Sequence, residues 1–205
     1  MKIFLFDFDG VVIDTLSIAV EVYNSVLKRN GISKQFTQAE FANLFLENYH
    51  KGLEEIIPNH TILEKILKER AEEYISRKDD FRTFDGIENV LHELSKSGKI
   101  IIISSNRTSF IKVFLKHRNI ACVEEVLGGD IEKSKVKKIN WQKDKYPLNE
   151  IYYIGDTTGD IKEGKAAKVI TVGAAWGFHS KEQLEQEEPD FIATKPSELL
   201  TILGK

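Results

Sequence analysis

The 205-residue chain has one cysteine, Cys122, four prolines and one methionine. No apolar run approaches the roughly 18 residues that a membrane helix needs. A single thiol excludes an internal disulfide framework and suits a reducing compartment. Lysine and arginine number 29 against 32 acids, a net charge of −3, so the basic excess that nucleic-acid or anionic-membrane binding draws on is missing. The five histidines are scattered without metal-ligand spacing. The N-terminal "KIFLF" runs straight into acids rather than into a signal-peptide layout. These absences predict a cytoplasmic protein, monomeric or homodimeric, with no nucleic-acid and no membrane partner.

What the chain does have is a series of short apolar runs suited to strands buried on both faces. They are "KIFLF" (2–6), "KIIII" (99–103), "EIYYI" (150–154) and "VITVGAA" (169–175), with "VEEVL" (123–127) and "DFIA" (190–193) weaker. Helical patterns separate them: Ile87, Val90, Leu91 and Leu94 form one stripe ending near Gly98, and Phe110, Val113 and Phe114 form another. Strand alternating with helix predicts an α/β fold with a parallel, Rossmann-like sheet. Residues 16–82 break the rhythm with helical patterns only. Thr37 and Glu40 form a capping box with Phe36 and Phe41 placed as a staple, and Thr61 and Glu64 form a second candidate box. The expected organisation is a core of residues 1–15 and 83–205, with an all-helical insertion at 16–82.

The first strand ends in Asp7 and Asp9, which alternate onto one side. Ligands bind beyond the carboxyl ends of strands in such sheets. Two neighbouring carboxylates repel, burial makes their ionisation costlier, and a hard divalent cation resolves the conflict. Ser104 and Ser105 follow "KIIII", and Asp156 and Asp160 follow "EIYYI" in "GDTTGD". Lys133 and Lys135 lie in "DIEKSKVKKI", at a predicted helix start. Acids, a hydroxyl, a lysine and more acids at one sheet edge suit a phosphate dianion and its metal.

"DFDGVVIDT", "IIIISSN", the lysine before "KVKKI" and "YYIGDTTGDI" resemble, in order, the four motifs of the haloacid dehalogenase superfamily of phosphotransferases. The likeness spans essentially the whole chain. The helical insertion resembles that superfamily's first-type cap, and the tail with Trp176-Gly177-Phe178 resembles its phosphoglycolate phosphatase branch. The resemblance implies an Mg²⁺-dependent phosphatase of small-molecule phosphate monoesters. In it Asp7 is the nucleophile that becomes an aspartyl phosphate, and Asp9 is the general acid and then base. Ser104, assisted by Ser105, binds phosphate, and Lys133 contacts both phosphate and Asp7, with Lys135 the alternative. Asp7, Asp9 (through its carbonyl) and Asp156 hold the metal, with Asp160 behind them. Val11, after the glycine of the first motif, is shared with β-phosphoglucomutase-like members, so a phosphomutase is the alternative enzyme. A non-catalytic phosphate-binding regulator is the alternative from another class. Residues 45–56 are candidates for choosing the leaving group.

Overall fold

The chain begins with β1 (Lys2–Phe6), whose alternate side chains enter two different cores. Phe4 and Phe6 pack with Ile100, Ile102 and Ile154, while Ile3 and Leu5 pack with Ile101, Ile103 and Tyr153. A strand buried on both faces needs an unbroken apolar run, which is why "KIFLF" lacks polar alternation. The computed structural model describes residues 1–46 and 49–204. After β1 come β2 (Ile13–Asp14), then helices α1 (Leu16–Arg29), α2 (Gln38–Asn43), α3 (Tyr49–Ile56) and α4 (His60–Ser76), then β3 (Arg82–Thr83). The chain continues through α5 (Ile87–Ser95), β4 (Gly98–Ile103), α6 (Thr108–His117), β5 (Val123–Leu127), α7 (Lys135–Lys145), β6 (Glu150–Gly155) and α8 (Thr158–Ala167). It closes with β7 (Ile170–Ala174), α9 (Lys181–Glu185), β8 (Phe191–Ala193) and α10 (Glu198–Leu203).

Six strands form one parallel sheet in the order β5-β4-β1-β6-β7-β8. Phe6 is level with Ile102 on one side and Ile154 on the other, so the residues after β4, β1 and β6 meet at one edge. β2 and β3 make a separate antiparallel ribbon, Ile13 opposite Thr83 and Asp14 opposite Arg82. Two residues per strand are too short for any periodicity, so this ribbon was not legible in the sequence. It brings the two ends of the helical segment side by side. No helix among the described residues is long and apolar enough to cross a membrane.

Local signals mostly act where expected. Thr37 and Glu40 cap α2 reciprocally, and the Phe36 and Phe41 rings lie 5.8 Å apart. The second box does not form: Asn59 caps α4 instead, accepting from the amide of Ile62 at 3.1 Å, which leaves the Glu64 carboxylate free for other partners. Gly98 opens β4 rather than merely stopping α5. A Cβ there would lie 2.4 Å from the Lys2 carbonyl oxygen, so glycine permits the close approach of β1. Trp176 anchors its loop by donating to the Val11 carbonyl at 3.2 Å.

Candidate active site

Asp7, Ser104 and Asp156 follow the three central strands directly, and all three are buried. The Asp7 amide extends the sheet by donating to the Ile154 carbonyl at 2.8 Å, and Asp7 Oδ1 accepts from the Phe8 amide at 2.7 Å. The chain then turns through Gly10 at φ +77°, a left-handed conformation that glycine adopts without cost. Asp156 packs onto this turn: a Cβ on Gly10 would lie 1.9 Å from Asp156 Oδ2. Gly10→Ala is therefore expected to displace Asp156 and to abolish whatever the acids do together. A Gly10→Ala protein that keeps the parent's turnover and melting temperature would contradict this packing.

Lys135 is the cation at the centre. Its Nζ donates to Asp7 Oδ2 at 2.8 Å and to Asp160 Oδ1 at 2.5 Å, with only 5% of the side chain exposed. Asp160 also accepts from the Tyr153 hydroxyl at 2.6 Å and from the Thr157 hydroxyl at 2.7 Å, so both of its oxygens are engaged. Burial alone would raise the Asp160 carboxyl, but Lys135, Tyr153 and Thr157 hold it below the ordinary range. The same two carboxylates, against the effect of burial, keep Lys135 well above its usual value. Asp7 is pushed up to about 7, by burial first and by Asp160 and Asp9, with Lys135 opposing. Burial and the charges of Asp160 and Asp7 push Asp156 well above the carboxylate range.

Lys133, expected beside Asp7 and the phosphate, lies elsewhere. Its ammonium pairs with Glu54 at 3.2 Å and Glu64 at 3.8 Å at the surface between α3, α4 and the core. The reason is the helix cap. Ser134 accepts from the Lys137 amide at 3.3 Å, so Lys133 precedes α7 while Lys135 is its first residue and turns inward. Lys138, one turn on, is also buried and donates to the Ser104 carbonyl at 2.7 Å.

The Ser104 hydroxyl accepts from the Asn106 amide at 3.0 Å, which keeps its own proton available to donate. Ser105 is half-buried and lines the clefts above. Asp9 is half-buried, and lost hydration raises its carboxyl, with Arg70 and Asn106 opposing. The Asn106 side-chain amide donates to both Asp9 oxygens, at 3.3 and 3.1 Å. Asn106 closes the second motif, where the sequence assigned it no role, and Arg70 was missed altogether. Arg70 had a signal: it is the one charged residue on the stripe Leu63, Ile66, Leu67, Ala71 and Tyr74, all of them buried. Of residues 45–56, Tyr49 and His50 face inward, while Glu47 and Asn48 lie outside the described residues.

The donor set fits a divalent cation. Asp7, Asp156 and Asp160 bring carboxylate oxygens within 4.8 Å of one another. Asp156 Oδ2 accepts from the Phe178 amide at 2.7 Å, but Oδ1 is buried with no hydrogen-bond partner. An orphaned carboxylate oxygen beside other acids, with one lysine among them, lacks positive charge. The donors are all oxygen, the preference of Mg²⁺. Asp156 Oδ1 is the oxygen with no donor, each Asp7 oxygen accepts a single hydrogen bond and keeps a lone pair for an ion, and Asp160 is the most heavily engaged, with Lys135 and Tyr153 on Oδ1 and Thr157 on Oδ2. A separate cleft of about 540 Å³ opens at the opposite edge of the sheet, around Lys143, Asn149 and Lys168, and none of these acids lines it.

Residues 4–174 match a family described as haloacid dehalogenase-like hydrolase. A phosphoglycolate phosphatase from Vibrio parahaemolyticus is 25% identical, over 100% of this chain and 96% of its own length. Pyrophosphatase PpaX from Listeria innocua is 27% identical, over 97% of this chain and 94% of its own. The crystal structure of a hydrolase from Pseudomonas syringae superposes with a TM-score of 0.84 at 17% identity, covering 100% of this chain and 98% of that one.

Proposed function

This chain belongs to the haloacid dehalogenase-like hydrolase family, and from that membership we propose that it is an Mg²⁺-dependent phosphatase of small phosphate monoesters, acting through an aspartyl phosphate on Asp7. The observation that carries the reading is the meeting of Asp7 and Asp156, at the ends of adjacent parallel strands, with Lys135 from the first turn of α7, while one Asp156 oxygen lacks a partner. Similarity to a phosphoglycolate phosphatase and a pyrophosphatase supports a small phosphorylated substrate.

In the first step an Asp7 carboxylate oxygen attacks phosphorus. The ester P–O bond breaks, and the departing oxygen takes the proton held by Asp9. In the second step Asp9, now a carboxylate, accepts a proton from water as the water oxygen attacks phosphorus. The bond to Asp7 then breaks, inorganic phosphate leaves and Asp7 is restored. Lys135 orients Asp7 and offsets the phosphoryl charge, and Asp160 with Tyr153 holds Lys135 in place. The Ser104 hydroxyl and nearby turn amides receive phosphoryl oxygens. Asp7 and Asp156, with the Asp9 carbonyl as in the family pattern, would hold a divalent ion, which would supply charge neutralisation to the acids and the phosphoryl group together. Helices α1 to α4 act as a cap that excludes water and leaves the choice of substrate to its inner face.

Two measurements test the proposal. A phosphate-release screen over small monoesters is expected to show turnover with Mg²⁺ that a chelator removes. Saturating Mg²⁺, at about 100 times its dissociation constant, adds about 2.7 kcal/mol to stability. At about 2–4 °C per kcal/mol for a chain of this size, the melting point rises by roughly 5–10 °C. Asp156→Asn should lose most of that rise. No turnover of any monoester with Mg²⁺, together with an unmoved melting point, would end the reading.

A further inference from the structure

We infer that Arg70 selects the leaving group, and that the substrate's leaving group carries its own oxyanion, a carboxylate or a second phosphoryl group, close to the ester oxygen. The inference rests on the phosphatase reading above and names the substrate class for the same site.

Arg70 stands on α4 with 4% of its surface exposed. One guanidinium nitrogen donates to the Tyr23 hydroxyl at 3.1 Å and the Tyr49 hydroxyl at 3.3 Å, and the other donates to the Asn106 side-chain oxygen at 2.8 Å. Nε is buried with no hydrogen-bond partner. All three acceptors are uncharged. Among the described residues, no carboxylate lies within ion-pair distance of it, whereas Lys135, buried in the same site, has two. The faces of Tyr23 and Tyr74, 5.4 and 5.2 Å from the guanidinium carbon, are weak substitutes for an anion. Asp9 acts on the guanidinium only across the Asn106 amide, so no anion touches it directly, and Arg is the side chain best shaped to grip a carboxylate or phosphoryl group in two places.

Its place says which anion. Asn106 is pinned from both sides, its oxygen taking hydrogen bonds from Arg70 and from the Arg107 amide while its nitrogen donates to Asp9. One amide group therefore separates the guanidinium from the acid that protonates the departing oxygen. Whatever is bonded to that oxygen lies beside Arg70. Arg70 and Ser105 line both a chamber of about 20 Å³ above Asp9 and an adjoining cleft of about 380 Å³ toward Arg107 and Lys133. The aromatic rings of Phe41, Phe45, Tyr49, Tyr74 and Phe178 form much of the rest of the chamber wall, with Thr15 and Asn106 among its polar residues. The chamber has room for about one water-sized group, so a leaving group enters it from the adjoining cleft that Arg70 also lines, and the aromatic walls strengthen a charge–charge contact there.

The test compares kcat/KM of the Mg²⁺-loaded full chain for phosphoglycolate, pyrophosphate and ethyl phosphate. These offer a carboxylate, a phosphoryl group and no charge on leaving groups of similar size. The parent is expected to prefer one or both anionic substrates over ethyl phosphate by about 100-fold or more. Arg70→Gln should cut that preference at least 30-fold, chiefly through KM, and Arg70→Lys should lie between. A guanidinium that only packs the cap, or only sets the charge of Asp9, would lower all three substrates together and leave the ratio unmoved, which would overturn the inference. The parent's ratio decides the matter even if Arg70→Gln does not fold, because a ratio near one also overturns it. Failure of the parent on every phosphate ester would instead defeat the underlying phosphatase reading.

Discussion

Asp7→Asn is expected to fold as the parent does and to release phosphate about 10⁴-fold more slowly, or worse. The amide has the shape of the carboxyl, so its oxygen can still accept from the Phe8 amide, at 2.7 Å in the parent. What it loses is the nucleophilic oxygen pair. It also sets an NH₂ or a neutral oxygen where the Lys135 ammonium now meets Oδ2 at 2.8 Å. Stability should hold, because the substitution removes one of several crowded buried carboxylates, and Asp160 still partners Lys135 at 2.5 Å. Acid quenching during turnover of a ³²P-labelled substrate should trap label on the parent and none on the variant. A folded Asp7→Asn that turns over near the parental rate, or labels equally, would remove Asp7 from the role of nucleophile.

Between two lysines two residues apart, the expected contrast is nearly as large. Lys135→Ala takes the central cation from Asp7 and Asp160 while leaving the acids buried. Removing one partner of a buried pair costs about 3–5 kcal/mol. Losing a positive charge aimed at the phosphoryl group costs a further factor of about 10²–10³ in kcat. Saturating Mg²⁺ should restore part of the stability and little of the rate. Lys133→Ala, by contrast, removes a lysine with 38% of its side chain exposed, paired to Glu54 and Glu64. Exposed pairs of that kind contribute about 0–1 kcal/mol, so stability and kcat should stay within threefold. Melting curves and initial rates of the two variants decide it, and the opposite ranking would return the role to Lys133.

The centre of the sheet was readable because β1, β4 and β6 are runs of isoleucine, phenylalanine, leucine and tyrosine buried on both faces, whereas the edge strands β5 and β8 are partly exposed and gave weaker signals. Acids at the ends of such runs are conspicuous for the same reason, so Asp7, Asp9, Asp156 and Asp160 could be named before their positions were known. The lysine was misplaced because its register depends on where a helix begins. In "KSKV" the serine is the capping residue, and weighing Ser134 as a cap would have put Lys135 inside α7. Asn59 took the cap of α4 from Thr61 by the same kind of competition. Arg70 was passed over because charged residues on helices are usually solvated. Its position on an otherwise apolar stripe was the overlooked clue.

The contacts of α4 change in kind along its length. Near its C-terminal end, beside the ribbon that joins the helical segment to the sheet, Tyr74 meets Phe110 at 5.0 Å and Phe81 meets Phe110 at 5.2 Å. Ten residues earlier, roughly 15 Å away at 1.5 Å per residue, Glu64 reaches Arg107 at 3.5 Å and Lys133 at 3.8 Å. Greasy ring contacts tolerate small rotations without being broken, whereas ionic ones let go all at once and are readily replaced by water. Midway between them the buried Arg70–Asn106 hydrogen bond ties the helix to the sheet edge, so added salt, which screens exposed charge and not ring packing, should loosen the start of α4 before its end.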